Sequence, residues 1–304
     1  MYKIIEKKEL APKIYSIEVE AKRVAKSAKP GQFIIVRIDE KGERIPLTVA
    51  DYNKEKGTVT IVVQAVGSST NRMVQLEAGD YFMDFVGPLG KPSEFVEEDL
   101  ESLKNMKLIF VAGGVGAAPV YPQVKWLCER GIKPEVIIGG KSKKFILLEK
   151  EMIDLGAKVY PCTDDGSYGF HGLVTNKLKE LIDGGENYDR VITIGPMIMM
   201  YFVTKLTKEY KLPTIASLNT LMVDGTGMCG ACRVTVGGET KFTCVDGPEF
   251  DGHLVDFDEA MKRQALYKTE EGKRLHKIEE GKRLHKIEEE KEGHVCHIGA
   301  GENA

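Results

Sequence analysis

Alternating or β-branched apolar runs dominate the first third of the chain. Ile14–Ala21 (IYSIEVEA), Gln32–Asp39 (QFIIVRID) and Thr58–Val66 (TVTIVVQAV) read as strands, punctuated by Pro30-Gly31 and Lys56-Gly57. The economical fold for residues 1–98 is a small antiparallel barrel. From 99 to 217 the pattern becomes strand, glycine turn, helix. LIFVAGG (108–114) is a buried strand, Pro119–Arg130 a helix closed by Gly131, and PEVIIGG, KVYPCTDDG and RVITIGP are further strands ending at polar or glycine turns. That alternation predicts a parallel sheet with helices on its faces. Residues 218–262 form a compact segment whose VTVGGETKF turns as a hairpin at Gly237-Gly238. The fold class is therefore α/β plus β, in three regions and a tail.

The tail, 263–304, carries GKRLHKIEE twice in tandem, at 272–280 and 281–289. Nine residues are two and a half helical turns, so the copies face opposite sides and cannot share one apolar stripe. A solvated charged helix is expected, with Glu270/Arg274 and Glu279/Arg283 spaced for modest support. The closing His294-Val-Cys296-His297 is read as a polar terminus, not a metal site.

Composition narrows the function. With 304 residues, 42% apolar content and 32 glycines, the chain suits two or three globular domains. A formal charge of −3 gives no reason to expect nucleic acid. The start, MYKIIEKKELAPKIY, lacks the apolar core of a secretory signal. The longest apolar stretch, Val191–Val203, is broken by Thr193, Gly195 and Pro196 and is too short to span a bilayer. A cytoplasmic protein without membrane contact is expected. Three of the six cysteines share one loop, which suits metal ligation in a reducing compartment, while Cys128 and Cys162 suit ordinary buried thiols.

That loop holds the sharpest chemistry. Asp224, Cys229, Cys232 and Cys244 follow Asp-x4-Cys-x2-Cys-x11-Cys, close to the ligand spacing of a plant-type [2Fe–2S] loop. Gly225, Gly227 and Gly230 would let backbone fold tightly round such a core and aim N–H groups at its sulfurs. Asp224 stands where a fourth thiolate is usual and is expected to be an oxygen ligand.

Two phosphate-binding candidates lie upstream. Gly113-Gly114-Val115-Gly116 precedes a helix and lets backbone approach a pyrophosphate. In a parallel sheet the same edge carries Thr163-Asp164-Asp165-Gly166 and Gly195-Pro196-Met197. In the barrel, Arg44-Ile45-Pro46-Leu47-Thr48 is expected to end a strand with a cation and a hydroxyl that could hold a pyrophosphate or flavin edge. Gly67-Ser68-Ser69-Thr70 could cradle phosphate as a polar turn.

Taken in order, RIPLT, GSST, VGPLG, GGVGAAP, TDDGS, IGP and DGTGMCGACR followed by CVDGPEFDGHLVDFDE resemble the small flavin and iron–sulfur subunit of NADH-dependent ferredoxin:NADP oxidoreductase, also described as a sulfide dehydrogenase subunit. They are similar too to the electron-transfer subunit of dihydroorotate dehydrogenase. The resemblance covers residues 1–262 and implies a ferredoxin-reductase-like fold. It implies FAD contacts from Arg44, Ile45, Pro46, Leu47, Thr48, Val62, Val63, Gln64, Ser69 and Thr70. Gly113, Gly114, Gly116, Asp164, Asp165, Gly195, Pro196 and Met197 would line an NAD(H) site, and Asp224, Cys229, Cys232 and Cys244 would hold [2Fe–2S].

A flavin can join two-electron nicotinamide to a one-electron cluster, so no acid or base is required, and His171 is assigned no role. The implied function is an electron-transfer enzyme subunit within an electron-bifurcating complex. The dihydroorotate branch, which has cysteine where this chain has Asp224, is the alternative, followed by a non-catalytic redox sensor. NADH is expected as the nucleotide, although Lys141, Lys143 and Lys144 stand where a 2′-phosphate could sit. Leu221, Met222, Val223 and Met228 would be exposed on the cluster loop and are expected to dock a larger iron–sulfur flavoprotein, with ferredoxin served through that complex.

Overall fold

The computed structural model describes residues 1–267, 269–274 and 276. Its β-patterned first third forms β1 (Tyr2–Ala11), β2 (Ile14–Glu20), β3 (Phe33–Arg37), β4 (Ile45–Asn53), β5 (Thr58–Gln64), β6 (Tyr81–Phe82) and β7 (Asp84–Leu89). They make one antiparallel sheet in the order β6-β1-β2-β5-β4-β3-β7. Register shifts in the β1–β2, β3–β7 and β4–β5 pairings fit a sheet curling toward a barrel. Short helices α1 (Lys22–Ser27) and α2 (Ser68–Met73) flank it. The run Phe33–Val36 is continuously apolar because both faces of β3 are covered. Ile34 and Val36 enter the core with Ile17, Ile61 and Phe85, whereas Phe33 and Ile35 meet the C-terminal segment.

The second region begins with α3 (Leu100–Lys104) and continues through β8 (Leu108–Gly113), α4 (Ala117–Cys128), β9 (Glu135–Gly140), α5 (Glu149–Asp154), β10 (Lys158–Thr163), β11 (Phe170–His171), α6 (Val174–Asp183), β12 (Arg190–Ile194), α7 (Met197–Glu209) and β13 (Thr214–Ser217). All six residues of β8 are buried, because helices cover both sides. Phe110 and Ala112 share a core with Val120, Val124 and Leu127 of α4. Ile109 and Val111 share another with Val174 and Leu178 of α6 and Val203 of α7. The apolar stretch Val191–Val203 is thus strand, turn and helix.

The C-terminal segment contains the hairpin β14 (Arg233–Val236) and β15 (Glu239–Phe242), then β16 (Glu249–Asp251) and α8 (Phe257–Gln264). Gly237 (φ +61°) and Gly238 (φ +81°) both take the left-handed conformation that a two-residue hairpin turn demands. β16 returns to pair antiparallel with β13, so the second sheet, ordered β11-β10-β9-β8-β12-β13-β16, is parallel except at this edge. The two sheets are also tied by Lys125 of α4, whose Nζ donates to Asp51 of β4 at 2.8 and 3.0 Å.

Residues 265–304 form a separate unit. Residues 269–274 are helical, and Glu271 N–H donates to the Tyr267 carbonyl at 3.0 Å. The second repeat copy, the Glu279/Arg283 pair and the His294–His297 run lie outside the described residues. Among those described, no helix is long and apolar enough to cross a membrane.

Candidate functional site

At the C-terminal edge of the parallel sheet, two of the three expected turns are packed together. A Cβ on Gly116 would lie 2.2 Å from the Ile194 carbonyl oxygen, and one on Gly195 would lie 3.0 Å from Gly113 N, so backbone meets backbone where side chains would forbid it. Met199 closes the floor, its sulfur 2.4 Å from the Cβ position of Gly113. Above Gly114 the space is open, with no atom within 4 Å of its Cβ position. Met197 is buried at the start of α7. The third turn belongs to β10, with β9 between it and β8. There Asp164 N–H donates to Gly140 O at 3.1 Å and Asp165 N–H to Lys141 O at 3.3 Å. Both aspartates are exposed. Hydrogen bonds from the Ser167 side chain and backbone hold the Asp165 carboxyl below the usual range. Lys143 extends over the Tyr168 ring, 5.0 Å from its centre.

In the antiparallel sheet the geometry corrects two local readings. Ile45 to Thr48, directly after Arg44, open β4 instead of ending a strand, with Ile35 opposite Pro46 and Phe33 opposite Thr48. Arg44 is exposed, and its guanidinium has no partner among the described residues. Ser69 and Thr70 lie in α2, not in a free polar turn. The Thr70 hydroxyl accepts the N–H groups of Gly67 (2.9 Å) and Val66 (3.1 Å), and Ser69 donates to Glu43. Val62 and Val63 are buried, leaving exposed Gln64 as the accessible side chain of that trio.

The candidate cluster segment folds onto this same sheet. Cys232 and Cys244 flank the open end of the β14–β15 hairpin with sulfurs 3.2 Å apart, and both are buried with Phe33, Ile35 and Met222. Burial, together with the neighbouring Cys232, pushes the Cys244 thiol up to about 12. Gly225, Gly227 and Gly230 all have positive φ, and a Cβ on Gly225 would strike Ile35 and Leu89, so the loop lies tight on β3 and β7. Cys229 is exposed. Asp224 turns onto its own loop, accepting the N–H groups of Thr226 (2.9 Å) and Cys229 (2.8 Å), which hold its carboxyl below the usual range. Thus two of the four candidate ligands touch, and no convergent set of three His, Cys, Asp or Glu occurs among the described residues. The donor set, three thiols and a carboxylate around a loop rich in positive-φ glycines, nonetheless fits an iron–sulfur cluster better than a hard cation. Of the apolar residues expected outside, Leu221 (39%), Val223 (47%) and Met228 (89%) are exposed, but Met222 is buried at 6% because it packs against β3.

Sequence reasoning passed over a buried polar junction beside this segment. The Glu249 carboxylate accepts from Ser93 Oγ at 2.9 Å and Gln123 Nε2 at 3.0 Å. Its one sequence signal is Gln123, a polar residue on the apolar face of α4. Cys162 is buried as expected, with its thiol pushed up to about 12 by burial, while Cys128 is only partly so.

Comparison with known proteins places the architecture. Residues 219–256 match the iron–sulfur cluster binding domain of dihydroorotate dehydrogenase B. The chain is 63% identical over 90% of its length to an uncharacterized protein in the adh 3′ region of Clostridium beijerinckii, covering 93% of it. It is 44% identical to a Thermotoga maritima homolog of the dihydroorotate dehydrogenase B (NAD(+)) electron transfer subunit, covering 88% of this chain and 92% of that one. A chain from the structure of an NADH-dependent reduced ferredoxin-NADP oxidoreductase superposes with a TM-score of 0.83 at 40% identity, over 91% of this chain and 98% of that one. The fold is therefore ferredoxin-reductase-like, and the chain is a redox-active electron-transfer subunit. It belongs to the family of dihydroorotate dehydrogenase B electron transfer subunits and their homologs.

Proposed function

We propose that the chain carries electrons between NADH, an FAD on its antiparallel sheet and one [2Fe–2S] cluster, as the small subunit of an electron-bifurcating ferredoxin:NADP oxidoreductase. One observation carries the reading. Cys232 and Cys244 pack on Phe33 and Ile35 of β3, and Phe33 pairs with Thr48 of β4, so cluster and flavin candidates share one strand pair. When bound, flavin takes a hydride from nicotinamide and can release electrons singly to an iron–sulfur cluster.

The chain's own part is to bind and orient. Arg44 offers an unpartnered cation to a pyrophosphate, with Ile45–Thr48, Val62–Gln64, Ser69 and Thr70 around it. Gly113, Gly114 and Gly116, together with Gly195, Pro196 and Met197, give backbone access to a nucleotide, and Asp164 and Asp165 sit at its periphery. Cys229, Cys232, Cys244 and Asp224 supply the cluster ligands. Leu221, Val223 and Met228 form the apolar part of a surface for a larger iron–sulfur flavoprotein, which serves ferredoxin. NADH is the proposed nucleotide.

The test is reconstitution. Alone, the chain should oxidise NADH with artificial dyes; with the larger subunit, NADH and reduced ferredoxin together should reduce NADP. Ferredoxin-linked NADP reduction by the lone chain would overturn the division of labour. A second reading, transfer of electrons from a dihydroorotate dehydrogenase catalytic chain to NAD(+), draws on the match at residues 219–256. Asp224 in place of cysteine counts against it, and NADH formation from dihydroorotate with such a partner would establish it.

A further inference from the structure

Five residues beyond Cys244, the chain crosses a seam where three regions meet. Gly247 O accepts from Lys91 N–H at 2.7 Å, Pro248 O accepts from Leu218 N–H at 2.9 Å, and Glu249 opens β16 opposite Ser217. The Glu249 side chain then reaches back across the seam. Its Oε1 accepts from Ser93, which follows β7 at the exit of the antiparallel sheet, and from Gln123 in α4. Ser93 and Gln123 are both fully buried at 0% exposure. Part of Glu249 stays accessible, but its carboxyl end is enclosed. Gly31 fits the crowding, since a Cβ there would lie 2.5 Å from Ser93 Oγ and 3.1 Å from Glu249 Oε1. One carboxyl group thus joins the flavin-side sheet, the nucleotide-side helix and the strand that follows the cluster ligands.

We infer that Glu249 is a positioning residue for electron transfer, holding the cluster-bearing segment in register with the flavin-binding sheet through Ser93 and Gln123. The inference rests on the function proposed above. Two charged groups bear on Glu249: Glu94 from the turn after Ser93, which opposes its ionisation, and Arg190 from β12, which favours it. Arg190 is already paired with Glu98 at 2.6 and 3.3 Å, so no cation is committed to Glu249. Burial therefore dominates and pushes the carboxyl up to about 7. The Oε1 of Gln123 is buried without a partner, and it offers an acceptor to a protonated Glu249 if the amide turns. The neutral carboxyl is the form that suits the seam. Because the folded value is raised, the group's contribution to stability is full below the ordinary carboxylate range and is lost as pH rises from there through about 7.

Glu249→Gln keeps the shape and the acceptor oxygen but cannot ionise. In thermal unfolding of the full chain without cofactors, wild type should lose part of its midpoint between pH 6 and pH 8.5, and E249Q should lose measurably less and melt higher than wild type at pH 8.5. In the loaded chain mixed with NADH, Glu249→Ala and the milder Ser93→Ala should leave flavin bleaching intact while slowing the cluster reduction that follows, on the order of tenfold for E249A. E249Q should restore the wild-type rate at pH 6 and abolish its decline at alkaline pH. An E249Q midpoint that falls with pH as steeply as wild type's overturns the assignment of the titrating group. Cluster reduction at the wild-type rate in both E249A and S93A overturns the positioning role. Failure of NADH to bleach the wild-type flavin would instead count against the proposed function, with the cofactor-free unfolding comparison still reading Glu249 directly.

Discussion

The nucleotide-side turns and the iron–sulfur loop are both glycine-rich, yet the fold builds them differently. At Gly116 and Gly195 backbone approaches backbone, and Gly113 is closed in by the side chains of Met199 and Pro196, so the shape is set by the sheet edge itself. In the 224–244 loop the glycines accommodate a path over β3 and β7, while the proposed ligands are side chains, two buried and touching, one exposed, one turned onto its own amides. Substitutions in the first region should therefore act through sterics on the whole domain, and substitutions in the second through loss of ligands with little effect on the fold.

The largest expected effect sharpens that contrast. Gly116→Val must push the Ile194 backbone aside and should destabilise the chain by about 2–4 kcal/mol, seen as a lower unfolding midpoint together with lost NADH-driven flavin bleaching. In the second region, Cys229→Ala, Cys232→Ala and Cys244→Ala should each abolish acid-labile sulfide. Cys229→Ala should leave the unfolding midpoint of the cofactor-free chain unchanged, because the residue is exposed. Unfolding by that substitution would erase the distinction between the regions.

Asp224 tests the boundary between the two modes. Asp224→Cys should retain a cluster with an altered spectrum and potential, since it supplies the all-thiolate set. Asp224→Ala should change the spectrum as well as release the Thr226 and Cys229 N–H groups. An unchanged spectrum and potential in the alanine variant would make Asp224 a loop brace only. Replacing Lys141, Lys143 and Lys144 together with alanine should have the smallest effect, changing KM for NADH by less than about threefold, as expected for solvated lysines. A clear wild-type advantage for NADPH over NADH at equal concentration would overturn the nucleotide assignment.

What the sequence revealed follows the same division. β8 was legible because a strand covered on both faces must be apolar throughout, and the segment matched at residues 219–256 was legible because iron–sulfur binding draws on closely spaced cysteines. β1 was not, since its Lys- and Glu-rich run buries only Ile4 and Ala11. β16 escaped because its pairing with β13 is a long-range event that three residues cannot announce. Met222 looked exposed because its loop neighbours are, but its side chain finds Phe33 and Ile35. That Ser69 and Thr70 begin a helix was not legible, because hydroxyls that cradle phosphate and hydroxyls that brace a helix start have the same sequence. The Ser93–Gln123–Glu249 junction joins residues up to 156 positions apart and has no local pattern at all.

One chain should link nicotinamide chemistry to a single-electron cluster, and anaerobic titration of the purified full chain with NADH reads that link without a partner. The predicted result is about one FAD and one [2Fe–2S] per chain, with flavin bleaching accompanied by the electron paramagnetic resonance signal of a reduced cluster. Zinc in place of iron, absence of acid-labile sulfide, or a flavin that bleaches while the cluster never becomes reduced would contradict it.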